Sequence, residues 1–202
     1  MKQNRDSYRT IIPWAQARNI RVFTDFMTIP TVDFQRTNMS IDLVDAEMES
    51  LVREQLAFSM DDRTAIVPRD LISGREDALD VPVCSLCWQS ICLAADGHYY
   101  PCSSFIGYVL GNAARERLTD VWRSSPGLAR LRALTWNDFL KCRACDARLF
   151  CAMCPAKNFN GSGNMLVPLG KTCEAAFLAK RILEERKAVW DRIMTDQQTA
   201  GE

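Results

Sequence analysis

Eight of the nine cysteines in this 202-residue chain fall into spaced groups that a hydrophobic core does not require. The first is Cys84-x2-Cys87-x14-Cys102. The second is Cys142-x2-Cys145-x5-Cys151-x2-Cys154, closed after 18 further residues by Cys173. Thiolate is a soft ligand, and four thiolates satisfy one tetrahedral zinc or one iron–sulfur cluster. The sulfur therefore suffices for two metal centres. A C-x2-C pair on a tight turn points two sulfurs at one centre.

The remaining composition narrows the setting. A chain of this length forms one or two domains and buries a core without needing disulfides. Its 25 basic and 25 acidic residues cancel, which removes any global attraction to nucleic acid or to an anionic membrane. No run approaches the ~18 consecutive apolar residues of a membrane span. Lys2 and Arg5 precede Ile11-Ile12-Pro13-Trp14, which is too short and broken for a signal-peptide core. A cytoplasmic protein is expected, where thiols stay reduced and clustered cysteines mean metal or catalysis. Nine cysteines is also an odd number for a closed disulfide framework. The triplets Asn38-Met39-Ser40 and Asn160-Gly161-Ser162 are then chance glycosylation matches.

Along the chain, residues 7–18 predict a helix disturbed by Pro13 and stopped at Asn19. Residues 20–27 are rich in strand formers, and Asp45 suits the N-cap of a helix running to about Phe58. Residues 1–58 thus form an incomplete α/β segment, because one strand cannot make a sheet. Residues 59–82, with Asp61-Asp62, Pro68, Gly74 and Pro82, predict a linker. From residue 83 onward the pattern is that of a small Cys-rich domain. Ser90–Leu93 and His98–Tyr100 flank Asp96-Gly97, a hairpin signal. Short helices are expected at 118–124 and, after Pro126, at 127–134. A long helix is expected over 173–194, with Leu178, Ile182, Val189 and Ile193 on one face and the pairs Lys180–Glu184 and Arg181–Glu185 on a solvated one. The fold class is α+β.

Cys87-x9-Gly97-x4-Cys102, within Asp96-Gly97-His98-Tyr99-Tyr100-Pro101-Cys102, followed by Gly111-Asn112, Leu118-Thr119-Asp120-Val121-Trp122 and the dense cysteine run, resembles a SPASM domain. This is the C-terminal module of many radical S-adenosylmethionine enzymes, and the resemblance covers residues 84–173. The family's spacing ends C-x5-C-x3-C, so Cys151-x2-Cys154 is one residue shorter. The resemblance implies two auxiliary 4Fe–4S clusters with crossed ligands: Cys84, Cys87, Cys102 and Cys154 for the first, and Cys142, Cys145, Cys151 and Cys173 for the second. It also implies a peptide or protein substrate. Residues 7–58 resemble the end of a radical enzyme's barrel, but the C-x3-C-x2-C motif that supports S-adenosylmethionine cleavage occurs nowhere in the sequence. The chain therefore resembles a C-terminal portion, with S-adenosylmethionine supplied through a missing N-terminal part or a separate barrel chain. Sulfatase-maturating members carry an Asp after the third cysteine of the first cluster. Here Ser103 stands there, and a hydroxyl is a poor base near neutral pH.

Ligand type alone leaves a structural zinc module open as the alternative, whereas the hairpin and Gly-x4-Cys context favours iron–sulfur. A free-standing electron carrier is disfavoured, since the ferredoxin run C-x2-C-x2-C-x3-C is absent. No catalytic residue is assigned. His98 beside its turn is expected to be solvated, Asp25 an ordinary carboxylate, and Gly161-Ser162-Gly163 a turn. Cys92 is expected to be a small buried hydrophobe. Ser103 suits a turn-stabilising hydroxyl, and Lys157, Asn158 and Asn160 a structural loop. Trp88, Phe105, Phe150 and Phe159 are candidates for a dry wall around the sulfurs.

Overall fold

A computed structural model describes residues 2–20, 28, 30–31, 35–43, 45–59, 78–84, 86–105 and 107–185. Helix α1, Tyr8–Gln16, runs through Pro13 and ends where expected. Asn19 takes the left-handed conformation, φ 53°. Its N–H donates to the Gln16 carbonyl at 3.1 Å and the Ile20 N–H to that of Ala15 at 2.9 Å, the paired bonds of a Schellman stop. Helix α2 is Asp45–Ser59. The expected strand at 20–27, with Asp25, lies almost wholly outside the described residues, as do positions 60–77 and the expected helix beyond residue 185.

The Cys-rich part begins with a one-turn helix α3, Leu86–Gln89, and a three-stranded antiparallel sheet in the order β1-β2-β3. Strand β1 is Cys92–Leu93, β2 is His98–Tyr100 and β3 is Gly111–Asn112. Cys92 pairs with Tyr100 and Leu93 with Tyr99, so the hairpin forms about Asp96-Gly97. Gly97 sits at φ 81°, a conformation that disfavours a side chain. The Asp96 carboxylate accepts from the His98 N–H at 2.9 Å and the Tyr100 hydroxyl at 2.7 Å, which pins the returning strand.

Helices α4, Leu118–Ser124, and α5, Pro126–Arg132, follow. Ser125 caps α5 by accepting from the Leu128 N–H, and Pro126 stands at the first turn where its missing donor costs nothing. Helix α6 is Pro155–Ser162, again opened by proline and closed by Gly163 at φ 75°. Helix α7 is Gly170–Glu185. These elements give a mixed helix-and-sheet fold, in agreement with the α+β expectation.

Three apolar clusters organise the interior. One joins Leu43, Met48 and Val52 to Leu178 and Ile182, packing α2 on α7. Around that seam Arg181 donates to Glu49 at 2.8 Å and Arg53 to Glu185 at 2.7 Å. The helix face read as solvated thus reaches across to α2, while the Lys180–Glu184 pair is present at 3.7 Å. Intrahelical spacing in a sequence cannot reveal such a neighbour.

The Lys171 Nζ lies 2.5 Å from the buried Asp42 carboxylate and donates to the Leu43 carbonyl at 2.7 Å. Burial pushes the Asp42 carboxyl up, but Lys171 and the Thr28 N–H outweigh it and hold the group below its ordinary range. A double-mutant cycle of Asp42→Ala and Lys171→Ala, measured by urea unfolding at pH 7, should give a coupling of about 1–2 kcal/mol. Additive effects would mean that the pair does not hold the two elements together.

Candidate metal centres

None of the nine cysteines is in a disulfide. Cys87 and Cys142 are buried and the other seven half-buried. Cys84 precedes α3 and Cys87 lies on it. Cys102 follows β2, in the turn that leads to Phe105. Cys142 and Cys145 lie in a turn-rich stretch where the Cys142 N–H donates to Phe139 and the Cys145 N–H to Cys142. Cys151 ends a short 3-10 turn, Cys154 caps the N-terminus of α6, and Cys173 sits in the first turn of α7.

Mutual electrostatics sorts the sulfurs. Burial first, then Cys84 and Cys102, pushes the Cys87 thiol up to about 11. Cys102 is raised by burial and by Cys154 and Cys84. Burial followed by Cys173, Cys142 and Cys145 pushes Cys151 up to about 12. Cys142 is raised by burial, Cys173 and Cys145, and Cys173 by burial, Cys145 and Glu174. Of these five thiols, Cys87 and Cys102 feel sulfurs among Cys84, Cys102 and Cys154, whereas Cys142, Cys151 and Cys173 feel sulfurs among Cys142, Cys145 and Cys173. Cys92 belongs to neither set. It is half-buried on β1 opposite Tyr100 rather than deep in a core.

Each set has its own apolar surround. Phe105, Leu128, Leu131, Leu134, Ala156 and Met165 pack with Cys87, against which Cys102, Cys154 and Phe159 lie. Trp136, Phe139 and Met153 pack with Cys142 and against Cys151. Of the four aromatics expected to line the sulfurs, Phe105 and Phe159 do so. Phe150 packs on the α2–α7 seam instead, and Trp88 is 54% exposed. Among the described residues, no three His, Cys, Asp or Glu side chains converge closely enough to hold a single metal ion.

Donors aimed at sulfur temper the repulsion. The backbone N–H groups of Ser104 and Phe105 face the Cys102 sulfur, and that of Met153 faces Cys151. Arg132, which sequence reasoning missed, lowers the Cys87 pKa. Its Nε donates to the Cys87 carbonyl at 3.0 Å and its Nη1 to the Trp122 carbonyl at 2.9 Å. The guanidinium lies 4.6 Å from the Trp122 ring centre and 5.7 Å from that of Trp88. Nothing in the local sequence separates this arginine from Arg130; only the packing of α5 on α3 does.

Other candidates fall elsewhere. His98 Nδ1 lies 3.2 Å from the Asp96 carboxylate, within the hairpin turn. Ser103 is exposed in a turn. Asn158 and Asn160, expected in a loop, are almost fully buried on α6, and Gly161-Ser162-Gly163 is the end of that helix rather than a separate turn. Asn158 donates to the Met165 carbonyl at 3.0 Å and accepts from the Leu169 N–H at 3.1 Å, satisfying the backbone of the connection to α7. The signal for the helix was Pro155, a residue suited to a first helical turn.

Residues 84–146 match the model of the SPASM family, an iron–sulfur cluster-binding domain. The chain carries a SPASM region. Of the eight grouped cysteines, the match takes in Cys84, Cys87, Cys102, Cys142 and Cys145 and ends before Cys151, Cys154 and Cys173. No curated protein and no solved structure matches the chain. Among the described residues, no helix of this SPASM-bearing chain is long and apolar enough to cross a membrane.

Arg132 supports the SPASM region through two charge-assisted bonds, so Arg132→Met should lower stability by about 2–3 kcal/mol. Denaturant unfolding followed by circular dichroism checks this. A loss under ~0.5 kcal/mol would mean that solvent replaces both bonds.

Proposed function

We propose that this chain holds two 4Fe–4S clusters and serves as the auxiliary iron–sulfur part of a radical S-adenosylmethionine enzyme that modifies a peptide or protein. The observation that carries this reading is the division of eight thiols into two quartets, each with its own apolar surround, in a chain whose residues 84–146 match an iron–sulfur domain. Cys84, Cys87, Cys102 and Cys154 would hold one cluster, and Cys142, Cys145, Cys151 and Cys173 the other. The donor sets suit the group: thiolates that repel one another become favourable neighbours around a cationic metal core.

Such clusters, when bound, accept or relay single electrons or ligate part of a substrate. The chain's own contribution is to position the sulfurs, exclude water with Phe105, Leu128, Trp136 and Phe139, direct backbone N–H groups at ligand sulfurs, and hold the Arg132 charge near Cys87 through that residue's carbonyl. S-adenosylmethionine would act at a barrel outside this region, either on the same polypeptide or on a partner chain. By ligand type alone the all-thiol C-x2-C sets would also serve structural zinc, although no three of the described thiols converge closely enough for a single ion, and elemental composition separates the readings.

Anaerobically prepared protein should contain about eight irons and about eight acid-labile sulfides per chain. About two zinc ions without sulfide would replace the iron–sulfur reading with a zinc module. Cys84→Ala and Cys173→Ala should each lose about half the iron, with different spectroscopic signals disappearing, whereas Cys92→Ala should keep all of it. Loss of the same signal in both of the first two variants would overturn the crossed ligand sets.

With all eight thiols occupied, neither centre offers the open iron that S-adenosylmethionine cleavage requires. Reduced protein incubated with S-adenosylmethionine should therefore form no 5′-deoxyadenosine above a buffer control. Product formation by this chain alone would assign one centre an exchangeable ligand.

A further inference from the structure

We propose that Asn160 is a positioning residue: through the Ser104 carbonyl it fixes the two backbone N–H groups that face the Cys102 sulfur, and so sets the reduction potential of the cluster that Cys102 holds. The inference rests on the two-cluster reading, but it concerns a side chain that neither the cysteine pattern nor the family match identifies.

Asn160 is only 2% exposed, although an amide side chain is expensive to bury. Its Nδ2 donates to the Ser104 carbonyl at 2.9 Å, across 56 residues of sequence. Its Oδ1 is buried and accepts no hydrogen bond among the described residues. The amide is therefore held at its donor end, and the Ser104 carbonyl decides its orientation. Next to it on α6, Phe159 packs on Phe105 with ring centres 5.3 Å apart, and the Phe105 side chain is itself buried. Two consecutive helix residues thus grip two consecutive loop residues, Asn160 on Ser104 and Phe159 on Phe105.

Ser104 and Phe105 are the residues whose N–H groups face the Cys102 sulfur. The Phe105 N–H also lies 3.1 Å from the Cys102 carbonyl, which closes the turn that carries them. An N–H directed at a ligand sulfur favours the more negative, reduced state of a cluster, and hydrogen bonds to sulfur are among the determinants of its potential. The first residue before α6 is Cys154, of the same quartet. One helix would then both close the ligand set and hold the donors that tune it.

The test uses the full chain with its clusters reconstituted, in potentiometric titrations followed by electron paramagnetic resonance. Cys102→Ala identifies the signal of the cluster in question. Asn160→Leu, similar in size but without the donor, and Asn160→Asp, which turns an acceptor toward the Ser104 carbonyl, should both lower that cluster's potential and leave the other's in place. Val121→Ala, a cavity beneath a buried α4 side chain that belongs to neither quartet's apolar surround, should leave both potentials unchanged and serves as the control for general destabilisation. Equal shifts of both potentials, or no shift, would overturn the proposal.

Hydrogen exchange of the segment 102–108 in the cluster-free chain provides a second measurement that needs no cluster. Protection there should fall selectively in both Asn160 variants, and protection lost evenly along the chain would show Asn160 to be merely structural. Absence of any iron–sulfur cluster from the unmutated protein would sink the cluster reading, while the exchange result would still stand for or against the clamp.

Discussion

The step from Cys151 to Cys154 governs the geometry of everything around it. Cys151 belongs electrostatically with Cys142, Cys145 and Cys173, whereas Cys154 belongs with Cys102. Both residues have extended backbone, with φ/ψ of −93°/118° and −138°/110°. Three extended peptide units reach at most about 11 Å. The chain therefore passes from one quartet to the other in a single short stride, and neither site can be built without fixing an edge of the other. Val83 and Leu166 pack against both apolar clusters, forming a common wall.

The sulfurs are held against a gradient. Burial and the neighbouring thiols oppose ionisation most strongly at Cys151, and the compensations differ between the sets. Cys87 has Arg132, and Cys102 has two backbone donors. Cys173 has Lys141 nearby but also Glu174, which works against it. Protein charges and dipoles tune a metal site through these outer contacts. Identical clusters in the two quartets would thus experience unequal fields, and a difference in potential is the physical precondition for passing an electron in one direction.

The local chemistry of the fold was legible where a single residue type dictates backbone shape. Asp96-Gly97 announced the hairpin, Asn19 the end of α1, and Pro126 the start of α5. What stayed hidden depended on neighbours remote in sequence. Asn158 and Asn160 look like loop residues because asparagine competes with the backbone for hydrogen bonds. On α6 their amides instead satisfy backbone groups of other segments, which makes burial affordable. Trp88 looked like a wall for the sulfurs and is instead an exposed platform beside Arg132. The membership of each cysteine quartet came from family resemblance; spacing alone pairs Cys151 with Cys154, which fall on opposite sides of the divide.

The N-terminal helices bear on the sulfur sites through α7. That helix presents Cys173 in its first turn, and two residues earlier Lys171 is tied to Asp42 and the Leu43 carbonyl. Further along, Leu178 and Ile182 bury themselves against Met48 and Val52 of α2. Helix α1 braces α2 in turn, with the Tyr8 hydroxyl donating to Glu54 and Arg9 pairing with the same carboxylate at 2.7 Å. A helix held along its length by hydrophobic packing and at its first turn by an ion pair cannot easily rotate about its axis. The Cys173 sulfur is then fixed by contacts outside the cysteine-rich stretch, so the segment carrying α1 and α2 buttresses the second quartet.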